Sequence, residues 1–178
     1  MPRTRADAPR DEKIDEIVKA ACQRLLDGGY PALSIIDLSR ELGLAQNAIY
    51  WYFPTKDHLF VAAVERIFDD ILDRKPRQGP CIDRVLWFTE RLSEIQELRT
   101  TMRERAQSSE VVAAFERDVD AFLRVLLVRV LSHDAPAEDL DATVDAVMAL
   151  CEGALLRNLG KSQRSRLIRF GYERLVPT

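Results

Sequence analysis

The stretch SIIDLSRELGLAQNAIYWYFPTK, residues 34–56, holds one glycine, one proline and an unbroken aromatic run from Tyr50 to Phe53. Its first four residues have the form of a capping box, in which the Ser34 hydroxyl accepts the Asp37 amide and Asp37 reaches back. The Asp37 carboxylate also suits the positive end of a helix. Leu38 and Leu42 lie four apart and face inward. Gly43 then stands where a left-handed residue ends one helix and turns the chain into another. A second short helix is expected over Ala45 to Phe53, closed by Pro54, which disfavours helical geometry in the residue before it. Two short helices joined at a glycine make a helix-turn-helix.

Working outward, Ile14, Ile17, Val18, Ala21, Cys22, Leu25 and Leu26 follow helical spacing until Gly28-Gly29 supplies a stop. Residues 1–10 contain Pro2, Pro9 and no large apolar side chain beyond the initial Met1, so they read as a flexible basic arm. On the other side, Thr55 can cap a helix that starts at Lys56 and carries Leu59, Phe60, Ala63, Val64, Ile67, Phe68 and Ile71 to about residue 74. KPRQGP, residues 75–80, punctuates the chain there. From Cys81 onward only helical periods occur, at 81–96, 98–107, 109–132, 137–158 and 162–175. The expected fold is all-α with about nine helices. Its parts are an arm (1–10), a helix-turn-helix domain (11–55), a connecting helix (56–74) and a larger helical domain (75–178).

Composition narrows the function. With 178 residues, 47% of them hydrophobic, the chain can bury a core. No stretch approaches the roughly 20 apolar residues of a membrane span, and no signal-peptide pattern opens the sequence, so a cytoplasmic protein is expected. Cys22, Cys81 and Cys151 are isolated, as are His58 and His133, so neither metal nor cofactor is expected. The formal net charge is −3, and residues 11–75 carry eight basic against twelve acidic side chains. DNA binding by such a chain must rely on a few placed contacts and the basic arm with Arg3, Arg5 and Arg10.

Residues 28–64, GGYPALSIIDLSRELGLAQNAIYWYFPTKDHLFVAAV, resemble the DNA-binding domain of the tetracycline-repressor (TetR) family of bacterial regulators. The resemblance implies a homodimer bound to near-palindromic double-stranded operator DNA. It also implies a C-terminal domain that dimerises and holds a small-molecule inducer, most often making the protein a repressor. In a helix-turn-helix, the N-terminal residues of the second helix reach the base edges. Those are Ala45, Gln46 and Asn47; Gln and Asn can pair with adenine, and Ala45 can meet a thymine methyl. An exposed polar helical turn is the plainer alternative for Gln46 and Asn47. Ile49 and Phe53 should anchor the helix in the core. The family implies phosphate contacts for Tyr50 and Tyr52, while Trp51 either touches the backbone or covers the domain's edge. Lys56 is expected to share a phosphate with the helix end it opens. Ser34, Ser39 and Arg40 are phosphate candidates, against capping and solvation. Ile36 departs from the arginine or other polar residue common there in the family, so weak guanine discrimination is expected at that position.

In the second half, residues 138–152 hold five acidic residues and no basic one, whereas 157–174 hold six basic residues against Glu173. Ala142, Ala146, Ala149 and Gly153 form a small-residue stripe that allows close helix approach. The resemblance implies that the last two helices form a four-helix dimer bundle with their twofold mates, the acidic and basic helices attracting at its rim; an ordinary solvated face on each helix is the plainer alternative. The apolar seam would comprise Val144, Val147, Met148, Leu155, Leu159, Leu167 and Ile168. Trp87, Phe88, Met102, Phe115, Phe122 and Cys151 could line an inducer cavity, although ordinary core packing explains each singly. Two rivals remain: a small helical enzyme, for which no catalytic pair stands out, and a ligand-independent DNA-binding architectural or protein-interaction module.

Overall fold

The computed structural model of the chain describes residues 10–132, 138–157 and 159–176. The described residues form nine α-helices: α1 (Arg10–Ala32), α2 (Ile35–Leu42), α3 (Gln46–Tyr52), α4 (Lys56–Asp73), α5 (Cys81–Glu94), α6 (Gln96–Ala106), α7 (Glu110–Leu131), α8 (Leu140–Leu156) and α9 (Lys161–Leu175). They divide into two compact units, one of residues up to Leu72 with Glu97–Phe115, the other of Asp73–Gln96 with Glu116 onward. The first division falls close to the KPRQGP punctuation. Residues 97–115, expected within the larger helical domain, group with the helix-turn-helix in the first unit. Among the contacts that tie this segment in are those from Arg105 and Ser109 to Asp57.

In the first unit, α1 packs on α2 and α2 on α3. Helical geometry in α1 is lost at Gly28 (φ −149°, ψ 15°) and Gly29 (φ 66°, ψ −166°), where the sequence places the stop, and a further turn through Pro31 follows. Ile17, Ala21, Leu33, Leu38, Ile49, Leu59 and Phe60 are fully buried and form the apolar interior beneath α3. Leu26, counted with the inward stripe of α1, is instead 57% exposed. The Cys22 thiol donates to the carbonyl of Ala63 at 3.3 Å, and burial pushes its pKa up to about 11.

In the second unit, α8 packs against α9 and α5 touches both. Its core gathers Val85, Val130, Leu131, Val144, Val147, Ala154, Ile168 and Tyr172. Four residues of the expected dimer seam, Val144, Val147, Leu155 and Ile168, are therefore used up inside the chain. Met148 and Leu167 pack against that core, and the Leu159 carbonyl accepts Arg164 Nη1 at 2.8 Å. Five of the charges expected at the bundle rim pair instead with α5 and α7 of the same chain. Arg124 of α7 binds Asp141 and Asp145 of α8. Arg164 and Lys161 bind Glu90 of α5, and Arg169 binds Asp83. Tight approach of α8 and α9 comes from Gly171, where a Cβ would lie 2.6 Å from Leu150 Cδ2; a Cβ on Gly153 would meet nothing within 4 Å. Ala142, Ala149, Leu156 and Phe170 remain exposed.

Candidate nucleic-acid interface

The turn between α2 and α3 is built from local hydrogen bonds. Ser34 Oγ accepts the Asp37 amide at 3.2 Å, the first half of the capping box. The second half is absent: the Ser34 amide donates to the Ala32 carbonyl at 2.9 Å, and the Asp37 carboxylate takes Arg40 Nη1 at 3.3 Å. At the far end Gly43 is left-handed (φ 62°, ψ 34°). Its amide donates to Arg40 and that of Leu44 to Ser39, at 3.3 and 2.9 Å, a Schellman closure that satisfies two terminal carbonyls. A side chain at Gly43 would carry the strain of left-handed backbone. Ile49 and Phe53 then bury one side of α3, fixing which residues it shows to solvent.

The exposed side consists of Gln46, Asn47, Tyr50 and Trp51. Gln46 with Tyr50, and Asn47 with Trp51, are four apart, so the polar pair and the aromatic pair share one face. Ala45 is exposed at the head of the helix. Tyr52 differs from the expectation that pairs it with Tyr50: it is half-buried, edge-on to Trp51 with ring centroids 4.9 Å apart. Trp51, whose place the sequence left open, is 67% exposed. The guanidinium of Arg10 lies 5.0 Å from the Trp51 ring centroid and 6.0 Å from that of Tyr52. Arg3 and Arg5 of the expected arm lie outside the described residues.

Other candidates separate. Ile36, at 46% exposed, and Arg40 lie on the solvent side of α2. Ser39 is buried and donates to the Ile36 carbonyl at 2.7 Å, so its hydroxyl is spent within the helix rather than offered to a phosphate. The Lys56 ammonium, expected at a phosphate, sits 4.0 Å from the centre of the Tyr30 ring. Burial, then the nearby Arg105 charge, lower its pKa against the opposing pull of Asp57.

Lys56 belongs to a polar cluster the sequence did not reveal. Asp57 accepts Arg105 Nη2 at 2.6 Å, Arg105 Nε at 3.2 Å and the Tyr30 hydroxyl at 2.7 Å, with Ser109 as a further donor. Burial pushes the Asp57 carboxyl upward, but these hydrogen bonds outweigh it and hold it below the usual range. Burial and the bond to Asp57 raise the Tyr30 phenol to about 12. Tyr30 also stands edge-on to Phe60 at 5.1 Å, so the cluster rests on the apolar interior. Tyr30 follows the glycine pair directly, but no local pattern links it to an arginine 75 residues later.

The six expected cavity residues are not gathered in one unit. Met102, which is buried, and Phe115 lie in the first; Trp87, Phe88, Phe122 and Cys151 lie in the second. Phe122 is 46% exposed. Trp87 and Phe88 have centroids 6.4 Å apart, and Cys151, hydrogen-bonded to the Thr89 side chain, has its thiol pKa raised by burial.

The profile of the bacterial regulatory proteins of the tetR family matches residues 17–63. The nucleoid occlusion factor SlmA of Haemophilus influenzae is 27% identical over 146 residues, covering 72% of this chain and 66% of that protein. The HTH-type transcriptional repressor KstR of Rhodococcus jostii is 26% identical over 136 residues, covering 72% and 64%. The chain thus spans just under two thirds of the length of these relatives. A tetR-family transcriptional regulator from Streptomyces coelicolor superposes with a TM-score of 0.72 at 24% identity, covering 94% of this chain and 82% of that one. No helix among the described residues is long and apolar enough to cross a membrane. The matched profile spans the α1 core positions, the Gly43 corner, the whole of α3 and the first turns of α4, and over that stretch, residues 17–63, the chain carries the helix-turn-helix segment of the tetR family of bacterial regulatory proteins.

Proposed function

We propose that the chain is a sequence-specific DNA-binding transcriptional regulator, acting as a homodimeric repressor that a small-molecule inducer releases from its operator. The observation that carries this reading is the solvent-facing side of α3, where Ala45, Gln46 and Asn47 stand at the helix head with Tyr50 and Trp51 behind them. A helix so presented fits the major groove, where Gln and Asn pair with adenine and Ala45 meets thymine methyls. Selection from a randomised duplex pool tests it: an A·T-containing, near-palindromic site should emerge, and Gln46→Ala and Asn47→Ala should each lower discrimination by about 1–3 kcal/mol at one position per half-site. Enrichment of no duplex would overturn the proposal.

The dimer surface needs revising from the expected seam, because its β-branched members fill the core. Leu156, at 61% exposed, and Phe170, at 56%, offer apolar area on α8 and α9 for a twofold mate. Phe170→Glu should yield monomers in sedimentation analysis; a wild-type chain already monomeric at micromolar concentration would refute the dimer. Inducer release rests on the family pattern, in which a ligand weakens DNA binding by its differential affinity for two states. A thermal-shift screen followed by footprint release tests that step.

A second reading is favoured by the match to SlmA, whose name is that of a nucleoid occlusion factor. In that reading the chain binds DNA without an inducer and acts through a protein partner. A footprint that no small molecule releases, with no change in transcription from the bound site, distinguishes it. A helical enzyme is the least supported alternative.

A further inference from the structure

The exposed side of α3 contains no charged residue. Two cations expected to serve it are engaged elsewhere: Arg40 with Asp37 at 3.3 Å, and the Lys56 ammonium with the Tyr30 ring at 4.0 Å. Residues 11–75 are net acidic, so duplex DNA approaching α3 needs positive charge placed nearby. Arg10 supplies it, with its guanidinium 5.0 Å from the Trp51 centroid and 6.0 Å from that of Tyr52.

We propose that Trp51 is a positioning residue for DNA binding, holding the Arg10 guanidinium beside the reading face of α3 as a phosphate contact. The proposal rests on the DNA-binding reading above. A guanidinium stacked on a ring keeps its edge N–H donors free, and their planar fork matches the oxygens of a phosphate. The ring attracts the cation through its quadrupole and fixes it before DNA arrives, reducing the ordering cost that a long free side chain pays on binding. Tyr52, half-buried and edge-on to the indole at 77°, buttresses the platform from the domain side. This arrangement explains why an indole stands 67% exposed in water at the end of α3. It also separates the roles of the ring run: Tyr50 faces the groove, Trp51 carries Arg10 and Tyr52 supports Trp51.

The experiment measures the affinity of the full-length chain across salt concentrations for a duplex that wild type recovers from a randomised pool. Arg10→Ala should weaken binding roughly tenfold at low salt, alike for preferred and scrambled sites, and reduce the salt slope by about 0.9. Trp51→Ala should weaken binding by less than Arg10→Ala does, roughly 3- to 5-fold as for an exposed cation–π contact, and reduce the slope in the same direction. Arg10→Lys should keep the slope, and Trp51→Phe should keep most of the affinity. The double variant Arg10→Ala/Trp51→Ala should bind like Arg10→Ala alone. Because both side chains lie on the surface, the variants should melt as wild type does. Unchanged affinity and slope in Arg10→Ala would overturn the proposal. A full Trp51→Ala loss persisting in the Arg10→Ala background would also overturn it, since the indole would then act on DNA by itself. A wild type that recovers no duplex would overturn the DNA-binding reading and this proposal together.

Discussion

Replacing Asp57 by Ala removes the one carboxylate that collects Arg105, Tyr30 and Ser109. The magnitude follows from burial. An exposed ion pair contributes about 0–1 kcal/mol, and breaking a fully buried one costs about 3–5. Asp57 keeps 12% of its side-chain surface and Arg105 keeps 35%, so the stranded guanidinium regains water while the Tyr30 hydroxyl loses its acceptor. An intermediate cost of about 2–3 kcal/mol is expected. With a urea dependence of about 2–3 kcal/mol per molar, the midpoint followed by circular dichroism should fall by about 1 M. Arg105→Ala should cost a similar amount, and the double variant little more than either. The pH dependence has a definite sign. Asp57 is held below its ordinary value when folded, so its contribution is present above the unfolded carboxylate range, near pH 4, and is lost as pH falls through the lower folded value. The gap between wild type and Asp57→Asn should therefore close below about pH 4. A loss under about 0.5 kcal/mol, or additive losses for the two alanine variants, would refute the reasoning.

Three further outcomes are expected. Gly43→Ala forces a side chain onto φ 62° and should cost about 1–2 kcal/mol, read as a lowered melting temperature with no change in base preference. Glu90→Gln removes the carboxylate facing Arg164, which is only 9% exposed, and should destabilise the second unit by about 2–4 kcal/mol in urea titration. Burial raises the Glu90 pKa, but Arg164 and Lys161 more than offset it, so this contribution also fades as pH drops below about 4. Ile36→Arg, at a 46% exposed position on α2, should introduce a guanine preference of about 1–3 kcal/mol in duplex selection.

Local chemistry made α1 to α4 legible. The cap at Ser34, the left-handed Gly43, the four-residue spacing of Ile49 and Phe53, and Pro54 each act within a few residues, and each has its counterpart in the structure. The solvent face of α3 followed from the same spacing. Tertiary pairing was hidden: Arg105 and Asp57 are 48 residues apart, Arg164 and Glu90 are 74 apart, and nothing in either neighbourhood names its partner. The same blindness put Val144, Val147 and Ile168 on an outer seam. Helical periodicity identifies an apolar face but not whether its own chain or a second copy covers it. Trp51 needed the structure for a related reason, since Arg10 reaches it across 41 residues of sequence.

The assignment of Glu97–Phe115 to the unit that contains α3 bears on how such proteins can be recombined. A single crossover near residue 72, the natural place to graft this reading head onto another regulator, would leave Arg105 and Ser109 behind and deliver Asp57 to a recipient with no matched donors. A functional chimera has to move two segments together, the first 72 residues and 97–115. The reading head and the segment that clasps it are therefore one exchangeable piece, discontinuous in sequence.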